Sequence, residues 1–546
     1  MPDPRDVPHV GPVVAATRRS VSRRSSEADI TLSQLPSGPR LAELIGALSL
    51  ATDLGTGQPM ESGLGTCLVA MRFGAALGLD EDALRRVYYL SLLQHVGCTA
   101  MNHELAAMFG DEIAMRAGVA GRDLSDPEVA RPYILGVLSR AHPRLAERET
   151  LAQVRAANEL LTEGRGVVCE VARMLGERMG FDEPLRLDLG MVYERWDGKG
   201  FPGRAVGGDL SVPLQVVLIA DGARALHDAG GLDAVREAMP RRSGTTYGPE
   251  MGKAFLRIAP DLLSVLSVDS RWDELLDAEP GEPTSVPEEG IDDLFRTIAD
   301  FADLKSPFLV GHSAGVAELA EKAARLAGLP EEDSRSLRRS GWIHDLGRVG
   351  VSASLWGKPG PLSASEWERV RLHAYYGERV FARVSWRPDL FVVATMHHER
   401  LNGTGYFRGA PASIQSTPAR ILAAADAFHA MGEPRPHRAA LARTEAVEEL
   451  SLEVRSGRID PQAAEVVLQA AGERTRRRRT QVAGLTRREM EVLRLVARGL
   501  STREVARSLS VSPKTADKHI ENIYMKAGVS SRAAATLFAM EHDLLH

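Results

Sequence analysis

Histidine and aspartate side chains recur in an ordered series through the second half of this 546-residue chain. The series comprises His312, His344, Asp345, His373, His397, His398 and Asp426. Each member lies on or beside an apolar helical pattern, so each is expected to point into a helical core. Burying these imidazoles and carboxylates without partners would cost several kcal/mol per ionised group. A metal centre would satisfy them.

The composition of this ligand set indicates the kind of metal site. Seven ligands are too many for one tetrahedral zinc ion, and mixed imidazole and carboxylate ligands suit first-row divalent ions such as Fe or Mn. The set therefore predicts two divalent metal ions, with Asp345 in the middle of the series as the bridging carboxylate. Such a pair can activate a water and hold phosphoryl oxygens for in-line displacement. The alternative is a helical core with incidental histidines, which the order of the set disfavours.

With the Gly-rich loop Asn402-Gly-Thr-Gly-Tyr-Phe407, this series resembles the HD-GYP division of the HD phosphohydrolase superfamily across residues 303–438. The resemblance implies an all-α fold with a dinuclear site and hydrolysis of cyclic di-GMP. It implies one ion held by His312, His344, Asp345 and Asp426, and another held by Asp345, His373, His397 and His398. The implied catalytic residues are Asp345 and Arg348, and the implied substrate-binding residues are Arg348, Gly403, Gly405 and Tyr406.

Two positions depart from the pattern of that family. Arg348 stands where the family has lysine, and its planar fork reaches a different place from an ammonium group. Phe407 stands where the family has the proline that would stiffen the loop. Neither change removes a metal ligand, and both bear on which substrate fits.

The first half of the chain repeats short blocks of the second. Residues 194–201 match residues 399–406 at an offset of 205, and residues 94–97 match residues 344–347 at an offset of 250. Two blocks in the same order predict an internal duplication. The first-half counterparts of the ligands are Glu61 or Ser62, Gln94, His95, Val192, Tyr193 and Asp221. These residues predict a degenerate copy without a dinuclear centre, retained as a sensor, a dimer face or a scaffold.

The C-terminal segment carries the start signals of short helices. Thr486 with Glu489 and Ser501 with Glu504 predict capping boxes, and Ser512 before Pro513 predicts another helix start. The segment 485–535 resembles the LuxR-type DNA-binding domain, a four-helix module with a helix-turn-helix. The resemblance implies that the helix over 513–526 enters the major groove. The DNA-contacting residues that we predict are Arg503, Arg507, Lys514, Thr515, Lys518, Asn522 and Arg532.

These motifs divide the chain into an all-α series of domains. We predict a disordered leader (1–40), a degenerate HD-GYP-like domain (41–276), a metal-binding HD-GYP-like domain (290–473), an Arg-rich linker (474–484) and a LuxR-type domain (485–546). From residue 474 onward the chain carries 15 Lys and Arg against 7 Asp and Glu, although its overall net charge is −6. A basic tail on an acidic body suits a nucleic-acid reader.

The remaining features place the protein among cytoplasmic bacterial proteins. No secretory signal or membrane span is visible, and Cys67, Cys98 and Cys169 form no close pair. The sequence predicts a DNA-binding transcriptional regulator, a homodimer on double-stranded DNA, whose metal domain senses or hydrolyses a nucleotide second messenger. One alternative is a cyclic di-GMP phosphodiesterase with an accessory DNA-binding tail. A second is a structural dimeric regulator without a ligand.

Overall fold

Helices account for the regular structure throughout the described part of the chain. The computed structural model describes residues 38–119, 121–122, 127–143, 147–472 and 482–545. Within these residues there is no β-strand, and only isolated bridges such as that between Tyr193 and Phe201 occur. The predicted all-α fold is therefore confirmed. The predicted leader lies almost wholly outside the described residues, as does most of the predicted Arg-rich linker.

The first half of the body contains eleven α-helices in its described residues. They are α1 (Leu41–Thr56), α2 (Ser62–Ala76), α3 (Glu81–Leu93), α4 (Asn102–Phe109), α5 (Glu112–Ala117), α6 (Pro127–Ala141), α7 (Glu147–Arg178), α8 (Glu183–Leu189), α9 (Val212–Arg242), α10 (Pro249–Leu263) and α11 (Arg271–Asp277). A 3₁₀ turn over Val96–Met101 joins α3 to α4. Non-helical torsion angles at Gly230 and Gly231 kink α9.

In its described residues, the second half contains nine α-helices. They are α12 (Glu288–Asp303), α13 (His312–Leu326), α14 (Glu331–Ile343), α15 (Ala353–Trp356), α16 (Ala364–Phe381), α17 (Pro388–Ala394), α18 (Thr417–Met431), α19 (Arg443–Arg455) and α20 (Pro461–Gly472). Helices α2 and α3 begin 250 residues before α13 and α14, and α8 and α9 begin 205 residues before α17 and α18. These are the two offsets seen in the sequence. The internal duplication itself stays a prediction.

The described tail contains four α-helices, α21 (Arg487–Ala497), α22 (Thr502–Ser508), α23 (Pro513–Ala527) and α24 (Arg532–Glu541). The two predicted capping boxes begin α21 and α22, and the Ser512 side chain caps α23. Leu537 and Met540 of α24 join the large apolar core of the body. The tail is therefore docked on the body through its last helix.

Buried polar contacts join the two halves of the body. The Lys305 ammonium lies 2.7 Å from the Glu112 carboxylate, and both side chains are fully buried. The other Glu112 oxygen accepts from the Ser352 hydroxyl at 2.7 Å, and Glu43 likewise accepts from the Ser385 hydroxyl at 2.7 Å. Because a buried charge needs a partner, these contacts fix how α1 and α5 sit on the second half.

Candidate functional site

Five separate elements bring the predicted ligands to one place. His312 is the first residue of α13, His373 lies in α16 and Asp426 lies in α18. The pairs His344-Asp345 and His397-His398 follow the ends of α14 and α17. The ligand atoms form two groups, within each of which they lie within 4.8 Å of one another. One group is His312, His344 and Asp426, and the other is Asp345, His373, His397 and His398.

Asp345 lies between the two groups, with one carboxylate oxygen toward each. Its Oδ2 lies 2.9 Å from Nε2 of His344 and 3.3 Å from Nε2 of His312. Its Oδ1 lies 3.4 Å from Nε2 of His397 and 3.5 Å from Nε2 of His373. This is the arrangement that a carboxylate bridging two cations requires.

The backbone fixes the ring orientation of three histidines. Nδ1 of His344 lies 2.7 Å from the Gly341 carbonyl, and Nδ1 of His397 lies 2.8 Å from the Ala394 carbonyl. His373 makes the same contact with the carbonyl three residues before it, at 2.6 Å. Since a carbonyl only accepts, Nδ1 must carry a proton in each ring, and Nε2 is the atom that faces the centre. In the neutral imidazole Nε2 offers its lone pair to a metal.

Burial and the neighbouring carboxylates shift the pKa values of the histidines in opposite directions. Burial lowers the pKa of His373 to about 3 and also lowers the pKa of His397 and of His398. Burial acts against the charged form of His344 too, but Asp345 and Asp426 outweigh it and raise the pKa of His344 to about 9. The group around His373 is therefore neutral at pH 7, the form that binds a metal.

The residues of the centre fit a metal. Among the described residues, Nε2 of His312, Nε2 of His344 and both oxygens of Asp345 have no hydrogen-bond partner, although all three side chains are buried. An unsatisfied buried polar atom costs about 1–3 kcal/mol, more when the group is charged. Cations bound between these atoms would remove that cost.

The structure adds two residues that the sequence analysis missed. Glu433 accepts from Nδ1 of His312 at 2.9 Å, and Nδ1 of His429 lies 3.3 Å from the same carboxylate. His312, His429 and Glu433 form a third possible ligand group. His429 and Glu433 follow Asp426 by three and seven residues, a helical spacing that could have revealed them.

A cavity of about 410 Å³ opens beside the centre. Arg348 and Tyr406, two of the predicted substrate-binding residues, line it together with His373, His398 and Arg435. Nη1 of Arg348 lies 2.6 Å from Oδ2 of Asp345. The predicted substrate-binding residues Gly403 and Gly405 lie in the loop behind Tyr406 and are not part of the lining. Gly405 is packed so closely that a Cβ would lie 2.3 Å from the backbone nitrogen of Arg400.

The corresponding place in the first half holds a different set. Asp221 accepts from the Thr66 hydroxyl at 3.1 Å and pairs with Arg224 at 3.3 Å. Gln94 and His95 stand 250 residues before His344 and Asp345, and the adjacent pair His397-His398 has Val192 and Tyr193 as counterparts. No possible metal-ligand group occurs in the first half among the described residues.

Helix α23 presents its predicted DNA-contacting side chains at the surface. Ala516, Ile520 and Ile523 are buried against the rest of the tail, and Lys514 and Lys518 are exposed. Thr515 is exposed as well, and Asn522 is half-buried. Arg503 and Arg507 are exposed on α22, the helix before it.

Arg532, the last of the predicted DNA-contacting residues, also serves the fold of the tail. Its guanidinium donates to the carbonyls of Val496 at 3.0 Å and Leu500 at 2.5 Å, and it therefore ties α24 to the end of α21. A cation at the carboxyl end of a helix stabilises it through the orphan carbonyls.

Comparison with known proteins identifies both parts of the chain. Residues 296–463 match the model of the HD domain, and residues 483–539 match that of the bacterial regulatory proteins of the luxR family. The chain therefore carries an HD domain followed by a C-terminal LuxR-type helix-turn-helix domain, and its relatives are HD-GYP phosphodiesterases.

Three similar proteins illustrate the relationship. A 3′3′-cGAMP-specific phosphodiesterase of Vibrio cholerae is 26% identical over 73% of this chain and 88% of its own length. A cyclic di-GMP phosphodiesterase of Pseudomonas aeruginosa is 32% identical over 30% of this chain and 39% of its own length. The crystal structure of a cyclic GMP-AMP specific phosphodiesterase of V. cholerae matches with a TM-score of 0.57 at 23% identity, over 80% of this chain and 98% of that chain. That structure supports the fold alone.

None of the helices in the described residues combines the length and the apolar character that crossing a membrane requires.

Proposed function

We propose that this protein is a DNA-binding regulator whose HD domain holds two divalent metal ions, Fe or Mn, and binds and hydrolyses a cyclic dinucleotide. The observation that carries the proposal is the position of Asp345, with one oxygen facing each group of ligands. The substrate class is proposed from two similar proteins, which are named as phosphodiesterases of 3′3′-cGAMP and of cyclic di-GMP.

The chain's own residues would hold the ions and position the substrate. His312, His344 and Asp426 would hold one ion, His373, His397 and His398 the other, and Asp345 would bridge them. When bound, the ions supply an activated water and neutralise phosphoryl charge. Arg348 and Arg435 place guanidinium groups in the wall of the adjoining cavity, where they would bind the phosphodiester oxygens. Trp356 holds Arg348, since the guanidinium carbon lies 5.3 Å from its ring centroid.

Hydrolysis is tested on the full chain loaded with Mn²⁺ or Fe²⁺, with cyclic di-GMP and 3′3′-cGAMP as separate substrates. We expect elemental analysis to find two ions per chain and chromatography to find linear dinucleotide or mononucleotide products. Asp345→Asn is expected to abolish turnover, whereas Asp228→Asn on α9 of the first half is the control that retains it. Saturable binding of a cyclic dinucleotide without turnover would show that the domain senses the nucleotide and does not hydrolyse it. Protein without metal would overturn the site.

DNA binding is tested on the full chain with a library of random double-stranded oligonucleotides. Replacement of Lys514 and Lys518 by Ala is expected to weaken binding and to reduce the slope of log affinity against log salt by about one to two. Lys253→Ala, an exposed lysine of the first half, is the matched control. The proposal is wrong if the wild-type chain selects no sequence and the double variant binds equally well.

Coupling between the two parts is tested by measuring DNA affinity with and without the cyclic dinucleotide. The regulator hypothesis expects a change of about 5-fold or more, within the usual range of coupling between sites. The predicted homodimer is measured in the same preparation by light scattering. Unchanged DNA affinity would favour a phosphodiesterase with an accessory DNA-binding tail.

A further inference from the structure

A second cavity, lined largely by apolar side chains, lies in the first half, at the place that corresponds to the metal centre. Its volume is about 360 Å³, within the range of pockets that enclose small organic ligands. The 3₁₀ turn after α3 and helices α4 to α7 form much of its wall, and α1, α2 and α9 contribute to the rest. Its apolar lining includes Met101, Leu105, Phe109, Ile134, Val137 and Leu161. Such a lining fits an extended hydrocarbon chain.

The wall of this cavity includes an amide nitrogen with no hydrogen-bond partner. Gln94 is 3% exposed and lines the cavity, and its Nε2 has no hydrogen bond within the described residues. A buried N–H donor left without an acceptor costs about 1–3 kcal/mol, which a ligand oxygen beside Gln94 would recover. The free group is a donor, so the ligand must offer an acceptor.

The charged side chains around the cavity indicate the charge of the ligand that carries this acceptor. Its wall contains five arginines, Arg116, Arg122, Arg165, Arg224 and Arg242, against two aspartates, Asp53 and Asp221. Arg165 is half-buried and has no hydrogen bond or ion pair among the described residues. An excess of guanidinium groups favours an anionic ligand, and a guanidinium matches the geometry of a carboxylate.

We propose that the first-half cavity binds an elongated apolar carboxylate, whose carboxylate accepts a hydrogen bond from Gln94 and whose hydrocarbon body lies along α4 to α7. This ligand differs in class from a cyclic dinucleotide, which suits the second-half cavity with its metal ligands and phosphate-binding arginines. The proposal does not depend on metal or on hydrolysis, because the residues that carry it all belong to the first half.

The binding test uses the full chain in chelator, with decanoate as the probe and decanol as its uncharged match. Titration calorimetry is expected to show one saturable site per chain for decanoate, and at least tenfold weaker binding of decanol. Gln94→Leu keeps the size of the side chain and removes the donor. It is expected to weaken decanoate binding at least tenfold while the melting temperature stays within a few degrees of wild type.

Two further variants keep the test decisive if one of them folds poorly. Val137→Phe and Leu161→Phe each fill the cavity from a different helix and are expected to abolish binding. Leu362→Phe, in the wall of the second-half cavity, is the control and is expected to leave decanoate binding unchanged. Equal affinity for decanol and decanoate, or unchanged binding by Gln94→Leu, would overturn the proposal. Cyclic dinucleotide turnover, measured separately on the metal-loaded chain, would be unaffected by that failure.

Discussion

In the two halves of the body, four helices that match at the two sequence offsets surround two different interiors. In the second half, ligand atoms from five elements converge around Asp345, and a cavity with arginines in its wall opens beside them. In the first half, a glutamine, a valine and a tyrosine stand at ligand positions, and an apolar cavity opens there instead. The difference indicates that these four helices can form without the metal ligands, because the first half has them and lacks a possible metal-ligand group among its described residues.

The largest effect is expected when two metal ligands of the second half are replaced by the residues at the matching first-half positions. His397→Val with His398→Tyr removes two ligands and introduces the pair found at Val192 and Tyr193. We expect phosphodiesterase activity to fall by more than the roughly 100-fold that loss of an outer partner of a metal ligand causes. Elemental analysis should also show less metal per chain. Val192→Ala is the first-half control, and equal loss of activity in that variant would contradict the assignment.

The contact between the two halves gives the next largest effect, on stability. Lys305 is paired with Glu112 of the first half, whereas its own counterpart 250 residues earlier is Gly55. Lys305→Met leaves the buried Glu112 carboxylate without a countercharge and is expected to lower the free energy of unfolding by about 3–5 kcal/mol. Urea unfolding measures this change.

The matched control is an exposed pair across the same contact. Arg369 lies 2.8 Å from Asp111, and both side chains are partly in water. Arg369→Met is therefore expected to cost no more than about 1 kcal/mol. Adding Glu112→Leu to Lys305→Met should restore part of the loss, since the uncompensated charge is then gone. Similar small losses for both single variants would show that the buried pair does not hold the halves together.

The sequence revealed the metal ligands because their chemistry leaves an ordered signature of side-chain types. It did not reveal the Lys305–Glu112 pair, whose members are separated by 193 residues and belong to different halves. Nor could the sequence show the first-half cavity, because the residues of a buried helix face are apolar whether the neighbouring element packs closely or leaves a gap. The segment 277–289, which lies between the two predicted HD-GYP-like domains, illustrates the same limit. Its buried Glu279 accepts from Arg40 at 2.7 Å, so the segment is packed onto α1.

Gly315 of the second half and Gly65, 250 residues earlier in the first half, test how closely the second-half site is packed. A Cβ on Gly315 would lie 1.9 Å from Nε2 of His429, whereas a Cβ on its counterpart Gly65 would meet only side-chain atoms at 3.0 Å or more. Gly315→Ala is expected to displace His429 from Glu433, which orients His312. We expect a 10–100-fold loss of metal affinity, measured by competition with a chelator. Gly65→Ala should leave metal affinity unchanged, and equal effects would contradict this account.

The smallest expected effect is on the pH dependence of stability, and it comes from two buried carboxyls, one in each half. Asp53 and Asp303 each accept a hydrogen bond from a backbone N–H at the start of the next helix, from Gly63 at 3.1 Å and from Ser313 at 3.0 Å. Burial raises the pKa of each carboxyl to about 7, from 3.8. Between about pH 4 and pH 7 the folded chain therefore holds protons that the unfolded chain has released. Stability must then fall as pH rises through this window and level off above it.

We expect each carboxyl to contribute at most about 1.4 kcal/mol per pH unit to that slope in the metal-free protein. Asp53→Asn and Asp303→Asn should each flatten the dependence of the unfolding free energy on pH by a similar amount, measured by urea unfolding in chelator. Asp82→Asn, on the surface of α3, is the control that should leave the slope unchanged. If only Asp303→Asn flattened the slope, burial at Asp53 would be weaker in solution, and the two halves would differ in their frame as well as in their interiors.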